Sequence, residues 1–248
     1  MIRAEPGVPT PRFHAKHIDP MSRCHALIPA AGVGARAGAP IPKQYAEING
    51  LPMLAHTLRA FVAAPSLAGV HLVVSKGDEW IDSLGKGMIP AQVNILRVGG
   101  TTRADSVANG LRALEGQVDG LDWMLVHDAA RPCITPAMIE AMITEVKDDP
   151  VGGLLAFPVA DTVKRADNER RVAQTIPRDG LWLAQTPQMF RHAALSEAYA
   201  RFPDVTDEAG AMERAGLVPK LVAGSARNIK VTYPADFELA GLYLKAAS

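Results

Sequence analysis

The stretch Ala26-Leu-Ile-Pro29-Ala30-Ala31-Gly32-Val-Gly34-Ala-Arg36-Ala-Gly-Ala-Pro40-Ile-Pro42-Lys43-Gln44-Tyr45 decides how this chain is read. It joins an apolar strand to a glycine-rich turn that carries two cations, Arg36 and Lys43. Glycine lacks the Cβ that would keep backbone N–H groups away from phosphate oxygens, and fixed cations supply the charge a polyphosphate needs. That is the build of a nucleoside-triphosphate site. Two familiar phosphate loops do not account for it. Gly32-x-Gly34-x-x-Ala37 formally satisfies the dinucleotide fingerprint, but Pro40 and Pro42 fall where the second turn of its helix would run. No acidic residue closes a following strand about twenty residues on. A Walker loop is excluded because the chain contains no Gly-Lys-Ser/Thr.

The composition sets outer bounds. At 248 residues and 48% hydrophobic, the chain suits one α/β domain with an appendage. Lys plus Arg and Asp plus Glu balance at 26 each, so a broad nucleic-acid or anionic-membrane surface has no support and any cationic site must be local. Cys24 and Cys133 form no disulfide framework or metal motif and are expected as reduced thiols in a cytoplasmic protein. The longest apolar runs, such as residues 152 to 159, fall well short of the roughly eighteen residues of a membrane span. Residues 1 to 22, with Pro6, Pro9, Pro11 and Pro20, lack a secretory signal and are expected to form a disordered leader, with Met21 an alternative start. A single domain is expected over 23 to 248.

Short apolar runs alternate with helical patterns along the chain, predicting a three-layer Rossmann-like fold: a mainly parallel sheet with helices on both faces. Strands are expected at 24 to 29, 70 to 74, 93 to 98, 123 to 127, 153 to 158 and 218 to 223. Pro52 opens a helix, Thr102 with Asp105 makes a capping box, Thr135-Pro136 is an N-cap with proline at the first turn, and Thr206-Asp-Glu starts a helix that Gly216 ends. Residues 159 to 185 break this rhythm. Val159-Ala-Asp-Thr-Val-Lys-Arg165 and Arg171-Val-Ala-Gln-Thr-Ile176 flank a polar turn and read as a projecting β-hairpin arm. A lone hairpin is marginal in water, so this arm is expected to pack on a second subunit and make a homodimer.

Ligands of an open α/β sheet bind beyond the carboxyl ends of its strands. Trp123-Met-Leu-Val-His127 leads there into Asp128-Ala-Ala-Arg131-Pro. Asp128 suits a metal or a substrate hydroxyl; taken alone it is equally well read as a turn cap paired with Arg131. Gly99-Gly100-Thr-Thr102-Arg103-Ala-Asp105-Ser106 offers backbone N–H groups and hydroxyls to a base or phosphate, although capping by itself explains Thr102 and Asp105. Lys230, within Asn228-Ile-Lys-Val-Thr232, reads in isolation as a solvated strand charge. His127 has no Ser or Cys elbow beside it, so no covalent nucleophile is indicated. A phosphate acceptor needs none, since its oxygen is already ionised and catalysis reduces to alignment and charge neutralisation.

Taken together, these motifs resemble the 2-C-methyl-D-erythritol 4-phosphate cytidylyltransferases of the non-mevalonate isoprenoid pathway, in order over residues 24 to 246. The resemblance adds Asp161-Thr162-Val-Lys-Arg, Gln185-Thr186-Pro-Gln and Thr206-Asp207-Glu208 to the segments above. It implies transfer of CMP from CTP to the acceptor phosphate, with release of pyrophosphate. It also implies Mg²⁺ or another divalent cation held mainly by the CTP phosphates, with no protein ligand assigned beyond the neighbourhood of Asp128. By matching position, Arg36, Lys43 and Lys230 are the catalytic residues. Pro29, Ala30, Ala31, Gly32, Gly34, Gly99, Gly100, Arg103 and Ser106 form the nucleotide site. Asp128, Arg131 and Thr186 meet the acceptor, and Thr162 and Arg178 come from the partner's arm. Ala37 and Arg227 depart from the usual pattern without removing a group the reaction needs. The rivals are a ribitol-5-phosphate cytidylyltransferase and a nucleotide-binding regulator without turnover. Ala30, Ala31 and Ala130 favour the methylerythritol family over the first, and retention of both lysines argues against the second. The chain length implies a form without a fused cyclase domain.

Overall fold

Residues 24–28 are buried on both faces of their strand, which requires helices above and below the sheet. In the computed structural model, which describes residues 22–32 and 41–246, this strand lies inside a seven-stranded sheet. The strands in chain order are β1 (Cys24–Pro29), β2 (Glu47–Ile48), β3 (Leu51–Pro52), β4 (Leu67–Val73), β5 (Val93–Leu96), β6 (Trp123–Val126), β7 (Gly152–Pro158), β8 (Val163–Ala166), β9 (Val172–Ile176), β10 (Trp182–Arg191) and β11 (Lys220–Ala223). The helices are α1 (Met53–Val62), α2 (Glu79–Ser83), α3 (Arg103–Ala113), α4 (Pro136–Val146), α5 (His192–Arg201), α6 (Glu208–Arg214) and α7 (Pro234–Lys245).

The main sheet has the order β11-β7-β10-β6-β1-β4-β5. β10 runs antiparallel to both its neighbours, and all other pairs are parallel. Side chains of β1 alternate between two cores. Ala26 and Ile28 meet Leu54, Leu58 and Phe61 of α1 on one face, with Ile139 and Met142 of α4. Leu27 meets Val107 and Leu111 of α3 and Leu195 of α5 on the other. Burying a side chain such as Leu27 completely contributes about 2 kcal/mol, so the strand that carries the glycine-rich loop is among the most firmly held parts of the fold.

The expected strands are all present, with ends shifted by a few residues. The helix starts follow their signals. Thr102 and Asp105 form a reciprocal capping box, Thr135 accepts from the N–H of Met138 ahead of Pro136, and Asp207 caps α6. Two strand readings need correction. The arm ends near residue 181, because residues 182–185 belong to β10 of the main sheet. Pro187 masked that strand in the sequence, and its place is where the ladder to β7 is interrupted between Ala184 and Gln188. Lys230 lies on an extended segment outside any strand, pinned where the N–H of Val231 donates to the carbonyl of Ala130 at 2.8 Å. Alternation survives there: Val231 is fully buried and Lys230 faces outward.

From β1 the chain passes through α1 to β4 and β5, then returns to β6 on the opposite side of β1. Connections diverge at that reversal, opening a crevice beyond the carboxyl ends of β1, β5 and β6. The arm, a separate two-stranded sheet of β8 and β9, leaves the main sheet at Pro158 and returns at Trp182. The leader expected over 1–22 lies outside the described residues except for Ser22, as do Gly34, Arg36 and Ala37. Among the described residues no helix is long and apolar enough to cross a membrane.

Candidate active site

Three loops meet in the crevice. The first follows β1. The N–H of Ala30 donates to Val73 at 2.8 Å, and the amide of Gln44 donates to the carbonyls of Ala30 and Gly32 at 2.8 and 2.9 Å. The hydroxyl of Ser75 holds the carbonyl of Ala31 at 3.0 Å. Gln44 stood in the sequence only as part of a motif; its buried amide is the clamp that sets the start of the glycine-rich loop. Beside it, Lys43 begins a single 3₁₀ turn, and its ammonium donates to the carbonyl of Val231 at 2.5 Å. The first loop is thereby tied to the segment that carries Lys230.

The second loop follows β5. The N–H of Gly99 donates to Val74 at 2.9 Å, packing this loop directly against the first. A Cβ at Gly99 would lie 2.3 Å from the Cβ of Ala31 and 2.9 Å from the carbonyl oxygen of Val74, and one at Gly100 would lie 2.2 Å from the Cβ of Asp105. Only glycine allows this approach. Ser106 accepts from the N–H of Gly100 at 3.1 Å and donates to the carbonyl of Thr102 at 2.9 Å, so its buried hydroxyl shapes the loop from within. Gly99→Ala is expected to destabilise the fold by roughly 1–3 kcal/mol and to raise the KM for CTP. Thermal melting and steady-state kinetics check both.

The third loop follows β6. Asp128 is buried, with Oδ1 accepting from Nε of Arg103 and Oδ2 from the ammonium of Lys230, both at 2.7 Å. Burial alone would raise its pKa, but these two cations override that and hold the carboxyl far below its usual range, so Asp128 is ionised. Arg103 reaches onward with Nη1 and Nη2 to the two oxygens of Glu208 at 2.8 and 3.1 Å, and the hydroxyl of Tyr199 donates to Glu208 at 2.7 Å. Glu208, Arg103, Asp128 and Lys230 thus form a row of alternating charge.

His127 supports the loop from beneath. It is completely buried, and desolvation lowers its pKa to about 4, so the ring is neutral. Nε2 lies 3.2 Å from the carbonyl of Arg131, which must receive an N–H, leaving Nδ1 as the acceptor. The hydroxyl of Thr186 then donates to Nδ1 at 3.0 Å and accepts from the N–H of Asp128 at 3.1 Å. Thr186 is within reach because antiparallel β10 places Gln188 opposite Val126, beside the end of β6. Arg131 is buried, donating from Nη1 to the carbonyl of Asn228 at 2.7 Å, while its Nε has no hydrogen-bond partner among the described residues.

The loops enclose a cleft of about 240 Å³, lined by Pro29 to Gly32, Gly100, Lys43, Asp128 and Lys230 among others. A second cavity of about 170 Å³ shares Arg103, Asp128 and Lys230 with it and adds Arg131 and Thr186. The two meet at the pair of Asp128 and Lys230. Thr162 and Arg178 line neither; both are exposed on the arm, where Arg178 donates to the carbonyl of Ala160. Arg36 and Gly34 lie outside the described residues. Glu208, Tyr199 and His127 escaped the sequence reading as members of this site. Glu208 stood in the sequence as a helix-start signal and within the motif Thr206-Asp207-Glu208, with no role at the site, and its partner Arg103 is 105 residues away.

A cleft with two ammonium groups at the reversal point of a mostly parallel sheet suits displacement at phosphorus by an acceptor that arrives already ionised. The class so defined is the nucleotidyltransferases of Rossmann-like fold. Residues 24–246 match the family model IspD, 2-C-methyl-D-erythritol 4-phosphate cytidylyltransferase. The chain belongs to that family. It is 53% identical over 226 residues to the enzyme of that name from Dechloromonas aromatica, covering 91% of this chain and 99% of the relative. Against the enzyme from Laribacter hongkongensis it is 55% identical over 222 residues, covering 89% and 95%. The crystal structure of a 4-diphosphocytidyl-2C-methyl-D-erythritol synthase superposes with a TM-score of 0.80 at 40% identity, covering 90% of this chain and 98% of that one. The Francisella tularensis enzyme gives 0.76 at 35% identity, covering 90% and 100%. The chain is therefore an enzyme that transfers the cytidylyl group of CTP to 2-C-methyl-D-erythritol 4-phosphate in isoprenoid biosynthesis. Family membership decides against the ribitol 5-phosphate and binding-only readings.

Proposed function

We propose that the larger cavity takes CTP, that the smaller takes the acceptor, and that the reaction occurs where they join. Arg36 and Lys43 hold the triphosphate. A phosphate oxygen of the acceptor attacks the α-phosphorus in line, the bond to the bridging oxygen of the β-phosphate breaks, and pyrophosphate leaves. Lys43 and Lys230 neutralise the charge that gathers around the α-phosphorus. The backbone of Pro29, Ala30, Ala31, Gly32, Gly34, Gly99 and Gly100 receives the nucleotide. Ser106 and Arg103 act from behind by setting the loops. Asp128 accepts from acceptor hydroxyls, and Arg131, which lines the smaller cavity, stands beside the acceptor. Thr186 keeps Asp128 in place. The observation that carries this reading is the contact of Lys230 with Asp128 at 2.7 Å, where the two cavities share a wall.

The same reading makes the enzyme a cytoplasmic homodimer without nucleic-acid or membrane partners. Val172 is 66% exposed on β9 and Leu183 is 58% exposed at the base of the arm, with Trp182 and Leu181 beside it. Apolar groups on a two-stranded ribbon call for a covering surface. A second copy would bring Thr162 and Arg178 of the partner subunit to the acceptor phosphate.

Mg²⁺ or another divalent cation accompanies CTP. Among the described residues there is no group of three or more His, Cys, Asp or Glu placed to hold a metal, and Asp128 is the sole carboxylate lining the larger cavity. That fits an ion carried on phosphate oxygens with Asp128 nearby. When bound, it supplies charge neutralisation to the departing pyrophosphate. Pyrophosphate release by the purified enzyme is expected to require CTP, methylerythritol phosphate and a divalent cation together. Turnover that persists with excess chelator would refute the metal requirement, and equal turnover with ribitol 5-phosphate would refute the acceptor site as described.

A further inference from the structure

We infer that Glu208 is a positioning residue of the transfer reaction, acting through Arg103 to keep the Asp128 carboxylate charged, oriented and open to Lys230 on one oxygen only. The inference rests on the reading above, in which Asp128 meets the acceptor and Lys230 meets the phosphates.

Arg103 is the first residue of α3, where the helix end is electropositive and a cation is disfavoured. Carboxylates must compensate it, and two do. Glu208, in the first turn of α6 and fully buried, takes both terminal nitrogens in a forked pair at 2.8 and 3.1 Å. A fork fixes the plane of a guanidinium as well as its position. With that plane set, Nε points to Oδ1 of Asp128 at 2.7 Å, and Oδ2 is left for Lys230. Tyr199 completes the set by donating to Oε1 of Glu208.

The arrangement matters when substrates arrive. Arg103 lines the same cleft as Lys43 and Lys230, and a triphosphate there would attract all three cations. The Glu208 fork restrains Arg103, so Lys230 is the cation that shifts to phosphate while Asp128 keeps a positive neighbour and stays ionised. Lacking the fork, Arg103 would swing toward the triphosphate and Asp128 would lose its orientation for the acceptor.

The test is steady-state kinetics on Glu208→Gln, which keeps the size of the side chain and an oxygen for Tyr199. The KM for methylerythritol phosphate should rise roughly tenfold, with the KM for CTP changing less than about twofold. Arg103→Gln should show a similar acceptor effect, and the double variant should match Arg103→Gln alone, because Glu208 has no separate route to the site. If Glu208→Gln does not fold, Glu208→Asp takes its place: it keeps the charge that balances Arg103 but withdraws the carboxylate by one methylene. The acceptor KM should then rise with the KM for CTP little changed, and an unchanged acceptor KM would overturn the inference. Additive effects in the double variant or equal shifts in both KM values would overturn the inference and leave Glu208 a packing residue. Asp128→Asn serves as the separate control: an unchanged acceptor KM there would refute the role of Asp128 itself, and the inference would fall with it.

Discussion

Alanine at Lys43 or at Lys230 lowers kcat about a hundredfold or more while the protein remains folded. Each ammonium is held at the cleft before substrate arrives, Lys43 on the carbonyl of Val231 and Lys230 on Asp128, from which it shifts to phosphate on binding, so both charges are in place before charge builds up at phosphorus. Losing one preorganised group of this kind costs roughly 2.7–4 kcal/mol of transition-state stabilisation. The two variants should differ in their side effects. Lys43→Ala also removes the link between the glycine-rich loop and the Lys230 segment, so its KM for CTP should rise as well. Lys230→Ala leaves Asp128 with Arg103 as its partner, so the carboxylate stays ionised and the loss falls mainly on kcat. Single-turnover measurements with saturating CTP, alongside melting curves, separate these effects. Unchanged kcat in both variants would sink the assignment of the two lysines.

Mixing two variants that are each defective at low acceptor concentration restores activity there if the arm crosses the dimer. Arg178→Ala raises the acceptor KM about a hundredfold by removing a guanidinium from the acceptor phosphate, and it leaves CTP binding nearly untouched. Lys43→Ala damages the nucleotide side. In a mixed dimer with crossed arms, one site receives both lesions and the other receives none. An equal mixture that exchanges subunits at random is half mixed dimers, so total turnover recovers to about a quarter of wild type. Within one chain Arg178 lines neither cavity and binds the carbonyl of Ala160, so recovery has no route except through a second copy. Subunit exchange confirmed by native mass spectrometry, with no recovered turnover, would argue that the arm does not cross to the partner's site.

Local signals in the sequence were read correctly where the physics is local. The capping box of Thr102 and Asp105, the N-cap at Thr135 and the five buried residues of β1 each depend on neighbours a few positions away. β10 was not legible, because Pro187 interrupts its pattern and the strand is held by two neighbours on either side rather than by its own propensity. Lys230 shows the opposite case. Its alternation with Val231 was visible, yet only the contact with Asp128, 102 positions away in the chain, distinguishes it from an ordinary solvated lysine.

What the sequence by itself determined was therefore the layered sheet, the glycine-rich loop after β1, the absence of a nucleophilic elbow and, through its ordered motifs, the family and its reaction. Those features are carried by residue type and short spacing. What only the tertiary structure decided was which charges answer one another. Arg103, read as a nucleotide contact, turns its nitrogens to Asp128 and Glu208 while lining the larger cavity; Thr186, read as an acceptor contact, donates a hydrogen bond to His127 while lining the smaller; Gln44, quoted only within a motif, clamps the loop. The physical reason is that a buried charge or hydrogen bond is satisfied by whatever the fold brings within about 3 Å, and in a sheet whose strand order reverses at β1, those partners come from positions far apart in the chain.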